Sequence, residues 1–325
     1  MNRIPAVLST LAIVAASAFT APAVAQQWPV RPVKIIVPFP PGQGADIITR
    51  IVAEKLGPAL GQQIIVDNRP GAGAALGTEI GAKSPPDGYT FLTGGTAALA
   101  INPHLYRKLG YDTPRDFVPV TQLVDIAMVF VVNPSLVVHN IKDLVSLAKQ
   151  RPGELTYGSS GNGSTSHLVT AALAARAGLK ITHVPYKGAV PALADLMAGQ
   201  VMLVADTPPT TLPHIQSKRI RPIATSMLKR IPQMPDVPTV DEQGIKGFNL
   251  NTWASIVAPT GTPVAVLDRL NGEIRKIMAQ PDVQKRLIDM GFIAVGSTRE
   301  EYAKFLTAEY ANWAKIVEVS GAKVD

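Results

Sequence analysis

The chain of 325 residues contains no cysteine. Disulfides, thiolate zinc sites, iron–sulfur clusters and cysteine nucleophiles are therefore excluded. Aromatics are scarce at 6% and charged residues make up 17%, while 46% of the chain is hydrophobic. That balance excludes a disordered chain. Beyond the first 25 residues no segment is apolar for the roughly 20 residues that a membrane-spanning helix needs. No Gly-Lys-Ser or Gly-Lys-Thr occurs, so a P-loop is absent.

Other motifs fail on spacing. Ser160 follows Gly158, but Asn162 stands where the hydrolase elbow requires glycine. Ser166 and His167 are chain neighbours, read as a helix start and a packed imidazole rather than a nucleophile and its base. Gly71, Gly73 and Gly77 follow an apolar strand at 64–66, yet a dinucleotide loop needs a different spacing and an acidic residue about 20 positions on. His104, His139, His167, His183 and His214 are scattered and lack the paired spacing of a zinc protease. Asp67, Asp87, Asp112, Asp116 and Asp125 do not form a calcium loop. No metal, cofactor or catalytic residue is expected.

What is present begins with an export signal. Asn2 and Arg3 precede an apolar stretch over 6–19, and Ala23-Val24-Ala25 offers a small-residue cleavage site. Residues 1–25 are expected to be removed before Gln26, leaving a protein soluble outside the cytoplasm. The loss of Arg3 leaves 30 of the 31 basic residues against 24 acidic ones. They are spread along the chain without a basic block or interleaved aromatics, which argues against nucleic-acid binding.

Four times the mature sequence repeats an apolar strand, a loop of small or hydroxylated residues, and a helical pattern. The first has Val33 to Val37, the loop 38–45, and a helix whose apolar face is Ile47, Ile48, Ile51, Val52, Leu56 and Leu60. The second has 89–93 followed by Gly94-Gly95-Thr96. The third has 155–157, the loop 158–164, and a helix over 165–177. The fourth has 201–205, the loop Asp206-Thr207-Pro208-Pro209, and a short helix over 212–216. Near the end, Thr262 is expected to cap a helix with Pro263 in its first turn, and Thr298 with Glu301 reads as a capping box. Apolar runs at 129–132 and 253–257 stand where strands crossing between two lobes are needed.

Alternating strands and helices predict an α/β protein with largely parallel sheets, whose ligand site lies beyond the carboxyl ends of the strands. The loops at 38–45, 93–100 and 158–166 contain neither Lys nor Arg. Loops rich in backbone donors at helix N-termini hold carboxylate or phosphate without a side-chain cation. An anionic small molecule is the expected ligand.

The ordered segments Trp28-Pro29, Ile35-Ile36-Val37-Pro38-Phe39, Asp67-Asn68-Arg69-Pro70-Gly71-Ala72-Gly73, Pro86-Asp87-Gly88-Tyr89-Thr90, Tyr157-Gly158-Ser159-Ser160-Gly161, His183-Val184-Pro185-Tyr186-Lys187-Gly188 and Ala258-Pro259-Thr260-Gly261-Thr262-Pro263 resemble the Bug family. These are extracytoplasmic solute receptors of tripartite tricarboxylate transporters, and the resemblance covers essentially the whole mature chain. It implies a two-lobed, Venus-flytrap, type II-like periplasmic binding protein with mostly parallel sheets and two crossing strands. The expected lobes are 26–128 with 252–325, and 129–251.

The resemblance further implies a non-enzymatic receptor, a monomer, that takes a dicarboxylate, acidic amino acid or aromatic acid to membrane permease subunits; a membrane signalling sensor is the alternative partner, and a secreted serine hydrolase using Ser160 and His167 is the alternative of a different class, disfavoured by the broken elbow. One carboxylate is expected between the loop carrying Phe39, Pro40, Pro41, Gly42 and Gly44 and the loop carrying Thr93, Thr96 and Ala97. The second lobe is expected to read the other end through Ser159, Ser160, Asn162, Gly163, Ser164, Thr165 and Asp206. Pro40 and Pro41 depart from the family's small-residue run and remove two backbone donors. Asp206 carries two readings, a ligand contact and a cap for the helix after it.

Overall fold

Val33–Val37 form β1, which lies between two parallel neighbours and buries four of its five side chains. Such a strand must be apolar throughout, as it is. The computed structural model describes residues 28–322 and 324. The expected export signal, 1–25, lies outside the described residues.

After β1 come α1 (Gly44–Leu60), β2 (Ile64–Asn68), a single tight turn at Ala72–Ala74, α2 (Ala75–Ala82) and β3 (Thr90–Gly95). A wide helical turn, Thr96–Ile101, leads into α3 (Asn102–Leu105), α4 (Thr113–Asp116) and β4 (Phe117–Ile126). Next are β5 (Val129–Val132), α5 (Ile141–Gln150), β6 (Thr156–Ser159), α6 (Thr165–Ala177), β7 (Thr182–Pro185), α7 (Ala189–Met197), β8 (Leu203–Asp206), α8 (Pro208–Gln216) and β9 (Arg221–Thr225). The chain ends with β10 (Thr252–Pro259), α9 (Val264–Met278), α10 (Pro281–Asp289), β11 (Ile293–Ala294) and α11 (Arg299–Ser320).

Two sheets result, one in the order β11-β4-β10-β3-β1-β2 and one in the order β7-β6-β8-β5-β9. Each has a parallel part, β2-β1-β3 in the first and β7-β6-β8 in the second. The remaining pairings are antiparallel, so the sheets are mixed rather than mostly parallel. The cause is the chain's passage between them: β5 enters the second sheet against β8, and β10 returns to the first against β3. The passages are residues 127–128 and 226–251, and they are stitched together. Ser226 and Met128 exchange backbone and side-chain hydrogen bonds at 2.9 Å, and Asn251 Nδ2 donates to Asp125 Oδ1 at 2.9 Å.

The terminal helices behave as their caps direct. Thr298 and Glu301 make the reciprocal capping box of α11, a device contributing about 1 kcal/mol. Its buried face, Tyr302, Leu306, Trp313, Ile316 and Val317, closes the core that contains Leu99, Phe130 and Phe248. The α9 start differs by one residue from expectation. Pro263 is the cap, and the Thr262 hydroxyl donates back to the Pro259 carbonyl at 2.8 Å instead of accepting from a helix N–H.

Candidate functional site

Between the carboxyl ends of β1 and β2 on one side and of β6 and β8 on the other lies a cleft of about 490 Å³. Its first wall is the loop after β1, with Pro38, Phe39, Pro40 and Gln43, together with Pro70 to Ala74 after β2. Its second wall is Ser160 to Ser166 before and at the start of α6, and Asp206-Thr207 before α8.

The first loop is fixed by a carboxylate. Asp46, buried at the start of α1, accepts from Gly42 N–H at 2.8 Å, Arg50 Nε at 2.9 Å and Asn68 Nδ2 at 2.9 Å. Burial alone pushes its pKa up, and these donors outweigh that and hold it below the ordinary carboxylate range. Asn68 Nδ2 also reaches the Phe39 carbonyl at 3.1 Å. Gly42 thus spends its N–H on Asp46, and with Pro40 and Pro41 carrying none, this loop gives the cleft mainly apolar rings.

The neighbouring turn supplies donors. Ala72, Gly73 and Ala74 have φ of 46°, 59° and 79°. Tyr106 Oη donates to the Ala72 carbonyl at 3.1 Å and Asn102 Nδ2 to the Gly73 carbonyl at 2.8 Å. Among the described residues no acceptor meets the N–H groups of Ala72 and Gly73. Successive N–H groups in such a turn form an anion-binding concavity. Two alanines in the left-handed region cost on the order of 1 kcal/mol each or more, a strain typical of binding sites.

The second wall is the start of α6. Ser164 caps it, accepting from His167 N–H at 3.2 Å, and Ser164 N–H closes on the Gly161 carbonyl at 3.2 Å. Thr165 and Ser166, the first two helical residues, keep N–H groups with no acceptor among the described residues. The helix dipole adds a partial positive charge there. Under this loop His167 stacks on His183 with ring centroids 3.8 Å apart, and Tyr157 on His183 at 4.9 Å. Gly163 N–H donates to His167 Nδ1 at 3.1 Å, and His183 Nε2 is hydrogen-bonded to Ser159 Oγ at 2.6 Å. Burial, then the nearby His183, pushes the His167 pKa down to about 4, so the imidazole is neutral and fixed.

Asp206 ends β8, with 7% of its surface exposed. Its Oδ1 accepts from Thr207 N–H at 2.7 Å and faces the hydroxyls of Thr210 at 2.8 Å and Thr207 at 3.3 Å. It therefore organises the start of α8, although the formal cap is Thr207. Burial raises its pKa.

Of the residues expected from sequence, Phe39, Pro40, Ala97, Ser160, Asn162, Gly163, Ser164, Thr165 and Asp206 line the cleft. Pro41, Gly42, Gly44, Thr93, Thr96 and Ser159 do not. Thr93 is buried against Thr49, Oγ1 to Oγ1 2.8 Å, and Thr96 Oγ1 accepts from Trp253 N–H at 3.0 Å. The expected loop at Gly94-Gly95 is part of β3, paired with Ser255 and Ala254. A Cβ at Gly94 would stand 2.3 Å from Leu99 Cδ1 and 2.7 Å from Ser255 Oγ, so that glycine serves close packing. Ala72 to Ala74, Asn102, Leu105, Tyr106, Met128 and Thr252 also line the cleft and were missed. The Asn68-to-Gly73 motif was the one signal that pointed near them.

The lobes touch across the cleft. Gly163, at φ 73°, lies so close to Leu105 that an added Cβ would be 2.2 Å from Leu105 Cδ2. Gly291, at φ 85°, approaches Pro208 in the same way, at 2.4 Å from its Cβ.

Residues 48–322 match the family model described as the tripartite tricarboxylate transporter family receptor. The chain belongs to that family. It is 35% identical to Protein BugT of Bordetella pertussis over 325 residues, 100% of this chain and 99% of the relative. A solved structure described as R. palustris Rpa4515 with adipate aligns with TM-score 0.82 and 36% identity, covering 91% of this chain and all of that one. MatC from Rhodopseudomonas palustris with bound malate aligns with TM-score 0.77 and 29% identity, covering 89% and 99%. The Bug resemblance, the two-lobed α/β binding-protein fold and the role of solute-binding receptor rather than enzyme hold for this chain. Among the described residues no helix is long and apolar enough to cross a membrane, in keeping with a family of periplasmic receptors.

Proposed function

We propose that this receptor captures a small carboxylate in the cleft and presents it to the permease subunits of a tripartite-type transporter. The observation that carries the reading is the pattern of donors. Ala72 and Gly73 on one wall, and Thr165 and Ser166 on the other, offer unpaired N–H groups in a cleft whose described lining holds no Lys or Arg. Backbone donors in a partly apolar cleft bind an anion without the tight pairing of a buried salt bridge, so the ligand can also be released. The adipate and malate in the two related structures fit this chemistry.

Closure brings both donor sets to one ligand, and Gly163 and Gly291 permit the lobes to approach. A ligand that touches both lobes stabilises the closed arrangement by its differential affinity for it. In the same reading residues 1–25 are cleaved before Gln26, the lobes comprise 26–128 with 252–325 and 129–251, and the mature receptor is a periplasmic monomer.

A thermal-shift screen of the chain from Gln26 tests this. The set comprises dicarboxylates, tricarboxylates, acidic amino acids, aromatic carboxylates, nicotinamide nucleotides and divalent metals. A carboxylate at a hundredfold excess over its Kd stabilises the native state by about 2.7 kcal/mol and raises the midpoint. A shift from a nucleotide or metal with none from any carboxylate overturns the reading.

A further inference from the structure

Three successive carbonyls of the turn after β2 are each held by a side chain. Tyr106 Oη donates to the Ala72 carbonyl at 3.1 Å, Asn102 Nδ2 to the Gly73 carbonyl at 2.8 Å and Thr78 Oγ1 to the Ala74 carbonyl at 2.7 Å. The Thr78 bond is local, a helix hydroxyl reaching back one turn, and Ala75 N–H closes the turn on the Ala72 carbonyl. The bonds from Asn102 and Tyr106 come from a different part of the chain. Asn102 opens α3 and Tyr106 closes it, with Tyr106 N–H on the Asn102 carbonyl at 3.1 Å, so the two side chains share one helix face.

A peptide unit is planar and trans, and its C=O and N–H point in opposite directions. The Ala72 carbonyl and the Gly73 N–H belong to one such unit. A donor on that carbonyl therefore aims the N–H, which has no acceptor among the described residues, and polarises the unit so that the N–H becomes the stronger donor. Ala72 at φ 46° and Ala74 at φ 79° resist this conformation, so bonds from outside the turn are needed to keep it. Tyr106 is suited to the task. Burial raises its pKa, which keeps the phenol protonated at neutral pH, and its backbone is bridged to Val324.

Resting on the carboxylate reading above, we infer that Tyr106, with Asn102 one turn before it, is a positioning residue for ligand binding: its hydroxyl holds the Ala72–Gly73 peptide with the N–H turned toward the bound carboxylate. Without the hydroxyl the peptide is free to turn away, and the carboxylate loses part of a hydrogen bond made by a residue that the substitution never touched.

The test compares the chain from Gln26 with its Tyr106→Phe variant, titrated calorimetrically with malate, adipate, citrate, glutamate and phenylacetate, while the Gly73 amide is followed by magnetic resonance in protein carrying labelled glycine. The acid that binds best should lose about three- to tenfold in affinity in the variant, the worth of one neutral hydrogen bond. In the wild type that acid should move the Gly73 amide proton downfield, and in Tyr106→Phe by clearly less. A hydroxyl with a structural role alone would lower the melting midpoint and leave affinity and the Gly73 movement as they were. A hydroxyl that touches the ligand would lower affinity with the Gly73 movement unchanged. Either result, or a Gly73 proton that the bound acid does not move in the wild type, overturns this inference while leaving the carboxylate reading intact. Asn102→Ala should weaken binding in the same direction, its melting midpoint showing whether it is folded; wild-type affinity in the folded variant removes Asn102 from the assignment, and the Tyr106→Phe comparison stands without it. Failure of every acid here and in the thermal screen overturns both the inference and the reading beneath it.

Discussion

Gly163→Ala separates local backbone strain from lobe closure. The residue has φ 73°, and its new Cβ would lie 2.2 Å from Leu105 Cδ2, 3.3 Å from Cγ and 3.4 Å from Cδ1. Two costs arise. The left-handed backbone disfavours alanine by about 1–2 kcal/mol, and this applies whether the lobes are apart or together. It lowers the melting midpoint but leaves ligand affinity alone. The clash with Leu105 arises only when the loop after β6 approaches α3, and overpacking of that kind costs about 1–3 kcal/mol. Because it falls on the closed arrangement alone, it weakens ligand binding by roughly 5- to 150-fold. Leu105→Ala removes the obstructing branch. In the double variant the affinity should return toward that of Leu105→Ala alone, while the midpoint stays depressed by the backbone term. Titration calorimetry of the four proteins gives the coupling directly. Equal affinities for wild type and Gly163→Ala, or no rescue in the double variant, would refute the closure argument.

Two further outcomes follow from buried charge. His167 is depressed to about 4, against an ordinary 6.5, so between these values the unfolded chain takes up the proton and the folded chain does not. Stability should fall by on the order of 2 kcal/mol as pH drops through that window. Asp125, pushed up to about 6 by burial and then by Glu309, acts with the opposite sign, its folded form gaining relative stability as pH falls. The quantity to read in urea unfolding is therefore the difference between wild type and His167→Gln at about pH 7 and about pH 5; a difference that does not change with pH contradicts the assignment. Asp46→Ala removes the acceptor shared by Gly42, Arg50 and Asn68 and should cost about 2–3 kcal/mol. A loss under about 0.5 kcal/mol in the same assay would show that the first loop is held by other means.

Where sequence and structure agree, the controlling interaction is local. Ser164 caps α6, Thr298 and Glu301 cap α11, and the alternation of apolar strand and amphipathic helix survives tertiary packing. Three of the four expected loops border the cleft for the same reason, since the carboxyl ends of neighbouring parallel strands share one edge. The fourth, at Gly94-Gly95, was illegible because a glycine needed for room and a glycine needed for conformational freedom look alike in a sequence. Only the approach of Leu99 and Ser255 distinguishes them. Ala72 and Ala74 give no signal at all, alanine being a residue that ordinarily avoids positive φ. Their conformation is held from outside, the Ala72 and Gly73 carbonyls being tied by Tyr106 and Asn102. The stacked imidazoles of His167 and His183 belong to different elements brought together only by the sheet. Of the two readings of Asp206, the contact with the start of α8 is made by Oδ1, which no spacing rule distinguishes from a ligand contact.

The central claim is that an ionised carboxylate is held by backbone N–H groups of both walls. Its most direct test is to titrate the receptor with the acid that gives the largest thermal shift and, in parallel, with the methyl ester of that acid. The acid should bind and the ester should lose about a hundredfold or more in affinity, as hydrogen bonds to a charged acceptor are each worth about 1.5–3 kcal/mol. An ester that binds as tightly as the acid would contradict the account.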